Sequence, residues 1–242
     1  MNKVLSGFGV FAFLALIGVA VFWGAVYRWD AVWEYRHVFL RGWLHTVAIA
    51  CIALTLSIGL GLFWALLRRS SVQFFRYLAQ AYVVIIRGTP LLVQILFFYY
   101  VVANQVGLQN RYVAGILILS IFSGAYISEI IRAGIEGISA SQLETAKAIG
   151  LTKGQTYLYV VIPQAFKQTL PPLAGQLGSL IKDSSLLSII GIGELTFAAE
   201  QISSATFSTL ESFFPLALGY LILSLPITLC SQYLERRYAY ED

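Results

Sequence analysis

The sequence predicts an all-α integral membrane protein of about six membrane-crossing helices, and three observations carry that reading. The 242 residues are 58% apolar and only 12% charged, with a mean hydropathy of +0.76. Soluble chains are nearly half apolar and about a quarter charged, so too little of this one can face water, and lipid must serve as its solvent. Apolar runs near the length of a bilayer crossing recur along the chain, about 20 residues for a helix. One polar insert, between residues 141 and 163, interrupts them.

Taken in order, the runs are 4–27, 46–67 (closed by Arg68 and Arg69), 90–106, 112–131, an interrupted stretch over 172–192, and 213–234 (stopped by Glu235, Arg236 and Arg237). The first is too long for a signal peptide and lacks a small-residue cleavage site before Tyr27, so an uncleaved helix is expected. Trp23, Trp29, Trp33 and Trp43 cluster around the first outer loop, as interfacial aromatics do. His37 and His45 lie in that loop region without matching metal ligands. Cys51 and Cys230 fall within apolar runs, which argues against a disulfide or zinc site. Basic residues are dispersed rather than clustered, so nucleic acid is not an expected partner.

Charge bias sets the direction of insertion. With the amino terminus inside, the inner segments hold Lys3, Arg68, Arg69, Arg76, Arg87, Arg132, Lys147, Lys153, Lys167, Arg236 and Arg237. The outer segments hold only Arg28, Arg36, Arg41 and Arg111. Both termini and the polar insert are therefore expected in the cytoplasm.

The insert reads as two short helices hinged at a glycine. Ser141 and Glu144 stand in capping-box spacing, Gly150 suits the left-handed residue that ends a helix, and Thr152 suits the cap of the next. That second helix is expected to end or kink at Pro163. Leu143, Ala146 and Ile149 fall on one face beside Glu144 and Lys147, a stripe with no hydrophobic core of its own sequence to cover it. A loop packed on its own subunit and a docking helix for another protein both fit this pattern.

Ionisable residues inside a bilayer are candidate sites. Lys182 and Asp183 lie about ten residues into the fifth run, ~15 Å deep if that run is helical from Pro172. Ser184, Ser185, Gly191 and Gly193 suit a helix break there. Such a break either lines a substrate path or its gate, or frees Lys182 and Asp183 for structural ion pairs. Gln94, one turn beyond Pro90, is placed to present its amide to a polar cavity, and Gln105, Gln176 and Glu194 are further polar residues of that kind. Arg87, Gly88 and Thr89 are expected to turn at the inner face before Pro90. Glu129 and Arg132 can meet on one helix face, and Glu129 can instead pair with Arg87; these three read as a structural clamp. There is no catalytic triad, metal cluster, cofactor-binding motif or phosphate loop, so any energy from ATP must come from another chain.

The insert resembles the EAA loop of ATP-binding-cassette (ABC) importer permeases. Glu144, Thr145 and Ala146, then Gly150, Val160, Ile162 and Pro163, stand at that motif's spacing, with Thr145 in place of Ala and Ile162 in place of Leu. Two more stretches, Arg87 to Gln94 and Ile181 to Leu186, are similar to the branch of those permeases that carries polar amino acids (histidine, glutamate, glutamine, arginine and opines). The resemblance implies a type I importer permease core (MetI-like) over residues 42–235, following an N-terminal helix and outer loop over 1–41 and preceding a cytoplasmic tail over 236–242. It also implies a bacterial inner membrane, a separate ABC ATPase, an extracytoplasmic amino-acid-binding protein and a second permease subunit, identical or related. Glu144, Ala146, Gly150 and Pro163 would then couple the chain to the ATPase, while Gln94, Lys182, Asp183, Ser184 and Ser185 would line the substrate pathway. An ion-coupled secondary transporter, with Lys182, Asp183 and Glu129 as proton carriers, and a non-transporting membrane scaffold are the rival readings.

Overall fold

The computed structural model describes residues 16–19 and 29–238. The expected first span over 4–27, with Trp23, lies outside the described residues apart from one helical turn at 16–19. The described residues form a helical bundle. In chain order the helices are α1 (Trp29–Trp33), α2 (Arg36–Arg68), α3 (Gln73–Gly88), α4 (Leu91–Phe97), α5 (Arg111–Glu136), α6 (Ala140–Ala148), α7 (Lys153–Thr156), α8 (Ile162–Asp183), α9 (Leu195–Thr206) and α10 (Thr209–Tyr238). A π-helical turn, Phe98–Ala103, prolongs α4, and another, Tyr157–Val161, joins α7 to α8. A 3-10 helix, Ser184–Ile190, continues α8.

Three of these helices are long and apolar enough to cross a membrane singly: α2, α5 and α10. Two bent pairs pass the same test: α3 with α4 and its π turn, bent by 106°, and the run 153–190 with α9, bent by 47°. The expected spans 46–67, 112–131 and 213–234 thus lie within α2, α5 and α10. Helix α2 begins ten residues before its expected run, so His37, Trp43 and His45 are helical rather than looped.

The centre of the bundle is the packing of α2 on α5. Both bury small residues along one stripe, Thr46, Ala50, Ala53, Ser57 and Gly61 on α2 and Ser120, Ser123, Gly124 and Ser128 on α5. Where lipid surrounds a bundle, close backbone approach and interhelical hydrogen bonds replace the hydrophobic drive. At Gly61 a β-carbon would lie 2.5 Å from Ile127 Cγ2, so only glycine permits this spacing. Ser57 Oγ donates to Ser120 O (3.3 Å) and Ser120 Oγ reaches back to Ala53 O (3.4 Å). Ile49, Ile95, Leu119, Leu180, Leu187 and Ile192 complete the core from α2, α4, α5, α8 and the segments that follow it.

Two sequence expectations fail on prolines. The chain neither ends nor restarts at Pro163, because the π turn precedes it: Ile162 N–H bonds back to Tyr157 O, and the helix runs on with Pro163 in its first turn. Helix α8 also runs through Pro171 and Pro172, so the fifth span does not begin at Pro172. Prolines are tolerated within helices of a membrane bundle, and near these two Ser231 of α10 donates to Pro171 O (3.0 Å), tying α10 to α8.

Candidate functional site

The polar insert folds as helix, left-handed glycine, helix. Gly150 has φ +85°; its N–H bonds to Lys147 O and the Leu151 N–H to Ala146 O, both 3.0 Å. That pair of bonds is a Schellman motif, which satisfies the last carbonyls of α6. Thr152 Oγ1 accepts from Gln155 N–H and Gln155 Oε1 accepts from Thr152 N–H, a capping box opening α7. The start of α6 differs from expectation. Its N-cap is Ser139, which makes no side-chain cap bond, and Ser141 is already helical. The capping-box spacing from Ser141 to Glu144 is therefore unused.

The apolar stripe of α6 is divided. Leu143 packs on the chain's own Ile138, Val161 and Ala165, and Ala146 is only 3% exposed. A close approach of a partner to the Ala146 methyl is thus excluded, since this chain already covers it. Glu144, Lys147 and Ile149 remain exposed, Ile149 at 70%. Pro163 stands apart, at the start of α8.

Lys182 and Asp183 sit where α8 tightens from α to 3-10 geometry; the helix runs on to Ile190 instead of breaking at them. Ser184 is fully buried and donates to Ile181 O (2.7 Å), and Ser185 donates to Lys182 O (2.6 Å). Such bonds offer carbonyls a partner where the helical pattern changes. Lys182 is exposed on the single chain and Asp183 half-buried, and neither makes an ion pair among the described residues. Beyond them Gln176 Nε2 donates to Ser123 Oγ (3.1 Å), tying α8 to α5.

The loop after the 3-10 helix is held on every side. Gly191 has φ +73°. The His45 ring donates through Nδ1 to Gly193 O (2.7 Å), Gly193 N–H to Tyr112 Oη (3.3 Å) and Leu195 N–H to Thr46 Oγ1 (3.1 Å). Glu194, fully buried, caps α9 by accepting from Thr196 N–H (2.9 Å) and Phe197 N–H (2.8 Å) and from Tyr220 Oη of α10 (2.8 Å). Sequence reading gave Glu194 no such role. The one available signal was an acidic residue after Gly-Ile-Gly at the head of an apolar helix.

Gln94 does not offer its amide donor to a cavity. Its NH2 is committed to the sharp bend between α3 and α4, donating to Ile86 O (2.7 Å), Thr89 O (3.1 Å) and Thr89 Oγ1 (2.7 Å). Its buried Oε1 has no partner among the described residues. Arg87 and Gly88 form the last turn of α3, and the turn itself falls at Thr89 and Pro90, both extended.

The structure brings Arg87, Glu129 and Arg132 together and adds Arg68. Arg68 pairs with Glu129 Oε1, Arg132 with Oε2 (2.8 Å), and Arg87 lies 3.8 Å from Oε2. Arg87 also stacks over Tyr126, 5.0 Å from its centroid, and Arg132 pairs with Glu136. One carboxylate thus joins the ends of α2 and α3 to α5.

This arrangement is a known one. Residues 57–240 match the family described as binding-protein-dependent transport system inner membrane component. The chain belongs to that family. This permease is 36% identical over 200 residues, 83% of its own length and 93% of the relative's, to the probable glutamine ABC transporter permease protein GlnM of Bacillus subtilis (strain 168). It is 32% identical to the glutamine transport system permease protein GlnP of Escherichia coli (strain K12), covering 87% of this chain and 97% of that one. Among solved structures it is similar to an amino acid ABC transporter crystallised with histidines, at 36% identity and a TM-score of 0.82, over 87% of this chain and 98% of that one. The inward-facing MetNI methionine ABC transporter shares the fold, with a TM-score of 0.70 at 19% identity. The permease is thus an inner-membrane transport subunit of an ABC importer, built on the type I core.

Proposed function

We propose that the permease carries a polar amino acid inward as one of two transmembrane subunits, identical or related. A separate ATPase powers it and an extracytoplasmic binding protein delivers the substrate. Both termini and the α6–α7 unit face the cytoplasm, as the eleven inner against four outer basic residues require. The observation that carries the reading is the α6–α7 unit itself. It is a rigid, capped, charged knob on an apolar chain, braced against its own Val161 while Glu144 and Ile149 stay bare. Glu144 and Ile149 supply the ATPase contact, Gly150 sets the angle between the short helices, and Pro163 begins the helix that receives their motion.

The substrate class follows from the relatives and from the Lys182–Ser185 step. The names of the relatives specify glutamine, arginine, L-cystine and nopaline, all amino-acid compounds. At the step an ammonium and a carboxyl stand side by side where the helix tightens, which suits the two charges of a zwitterion. ATP binding closes the ATPase pair and carries both docked units with it, and the bundle opens towards the loaded binding protein. The shift needs each ligand to favour one state over the other. ATP supplies that preference on the inside and the loaded binding protein on the outside.

The test is uptake of labelled amino acids into vesicles holding the permease with its ATPase and binding protein. Glu144→Arg reverses an exposed charge and leaves the fold alone. It is expected to cut uptake about 10-fold or more while the protein still inserts. Wild-type uptake by the variant sinks the docking role of α6. Uptake without the ATPase, abolished by an ionophore, sinks the importer reading itself.

A further inference from the structure

Among the described residues one non-glycine has a left-handed backbone: Phe207, at φ +55°. The ring is 92% exposed, more than any other large apolar side chain among the described residues. A bulky residue in this region is a genuine outlier, and the position just past a helix usually falls to glycine. The turn is nonetheless fixed on both sides. Phe207 N–H bonds to Ser203 O (2.9 Å), Ser208 Oγ donates to Thr206 O (3.3 Å), and Ser212 Oγ donates to Ser208 O (2.7 Å). Backbone strain kept in place by its surroundings is a mark of function, and here the strain serves to hold an aromatic ring in the open.

The ring's surroundings identify what it meets. Helix α10 ends at Arg236 and Arg237 on the cytoplasmic side, and its 30 residues span ~45 Å against a hydrocarbon thickness of ~30 Å. Its first residue, two past Phe207, therefore lies on the outer side with length to spare. The neighbouring surface is polar rather than lipid-like: Glu200, Gln201 and Ser204 are exposed on α9. Together with Tyr35, Val38 and Phe197 they line an open groove of about 650 Å³ between α9 and the outer end of α2. An exposed aromatic capping α9, and a groove lined by polar and apolar residues of that same helix, are the makings of a protein-binding anchor.

We infer that Phe207 and this groove are the seat of the extracytoplasmic binding protein, with the Phe207 ring as the anchor that enters it. The inference rests on the importer reading above and adds to it the place and chemistry of docking. It also links docking to the substrate path. The seat is the far end of α9, whose near end is the Glu194 cap that closes the loop after Lys182–Ser185. A protein bound at Phe207 pulls on the same short helix that fixes that loop.

The experiment measures ATP hydrolysis by the assembled importer in vesicles as its loaded binding protein is titrated. Phe207→Asn keeps a residue that tolerates the left-handed backbone and removes the ring; Phe207→Tyr keeps the ring. Expected is a rise of about 10-fold or more in the half-saturating concentration for Phe207→Asn, with the stimulated maximum retained at saturation. Phe207→Tyr is expected to stay within about twofold of wild type. An unchanged half-saturating concentration for Phe207→Asn overturns the inference. So does a loss of maximal rate without a shift in concentration, which would place the ring in lipid or in the fold. Equal shifts for both variants overturn it too, because the ring would not be what binds. If the wild-type importer shows no stimulation at all, the importer reading falls first and takes this inference with it.

Discussion

Glu129 and Glu194 are both acidic residues in an apolar bundle, yet the chain holds them by opposite means. Glu129 sits near the carboxyl-terminal end of α5 among three guanidiniums, with its side chain 17% exposed. Glu194 is fully buried, makes no ion pair among the described residues, and is held by two backbone N–H groups and a tyrosine hydroxyl. At the water edge, opposite charges are a cheap and adjustable fastening, because solvent absorbs what geometry leaves unmatched. In the interior every lone pair needs a fixed donor, and helix-end dipoles supply it without a second charge to desolvate. The Glu194 fastening is therefore rigid where the Glu129 one can rearrange.

The contrast predicts a graded series of losses. Glu194→Ala strands the Thr196 and Phe197 N–H groups and leaves the Tyr220 hydroxyl with Thr196 Oγ1 as its partner, and is expected to cost about 3 kcal/mol of stability, read as thermal unfolding in lipid nanodiscs. Its deficit is expected to be the same at low and high salt. Glu129→Gln leaves Arg68, Arg87 and Arg132 without their shared counter-charge, at about 1–2 kcal/mol after screening. Here the deficit is expected to shrink as salt rises; a salt-independent loss would mean that packing rather than charge holds this end of α5. Tyr220→Phe removes one of three donors to Glu194 and is expected to cost about 1 kcal/mol. Combined with Glu194→Ala it is expected to add almost nothing, and full additivity would deny that the two residues form one unit.

The same pair marks what the sequence made legible. The Glu129–Arg132 contact is three residues apart on one helix, so periodicity alone displays it. Glu194 depends on Tyr220, a partner 26 residues away on another helix, and no local pattern points there. Long uniform apolar runs gave α2, α5 and α10, and the backbone chemistry of glycine and threonine gave Gly150 and Thr152. The α3 helix stayed hidden, because its 16 residues mix Arg76 and Arg87 with apolar ones and only its junction at Pro90 turns it into half of a bent pair. Prolines misled in α8 because they were weighed as helix breakers, whereas the helix runs through Pro171 and Pro172. Ala146 is small enough to suit contact with another protein, yet it is buried within its own chain, and burial of that kind leaves no mark in a local pattern.

The π turns at Phe98–Ala103 and Tyr157–Val161 have a meaning for the history of the family. A π turn accommodates one residue more than the α-helix around it while the flanking helix carries on. At these two places, then, a single codon can enter or leave without rotating everything beyond it out of register. Single-residue gaps among natural relatives are expected to collect there, and to be absent from the glycine and serine stripe where α2 meets α5. The connection between the α6–α7 unit and the long α8 is in that sense the most editable joint among the described residues.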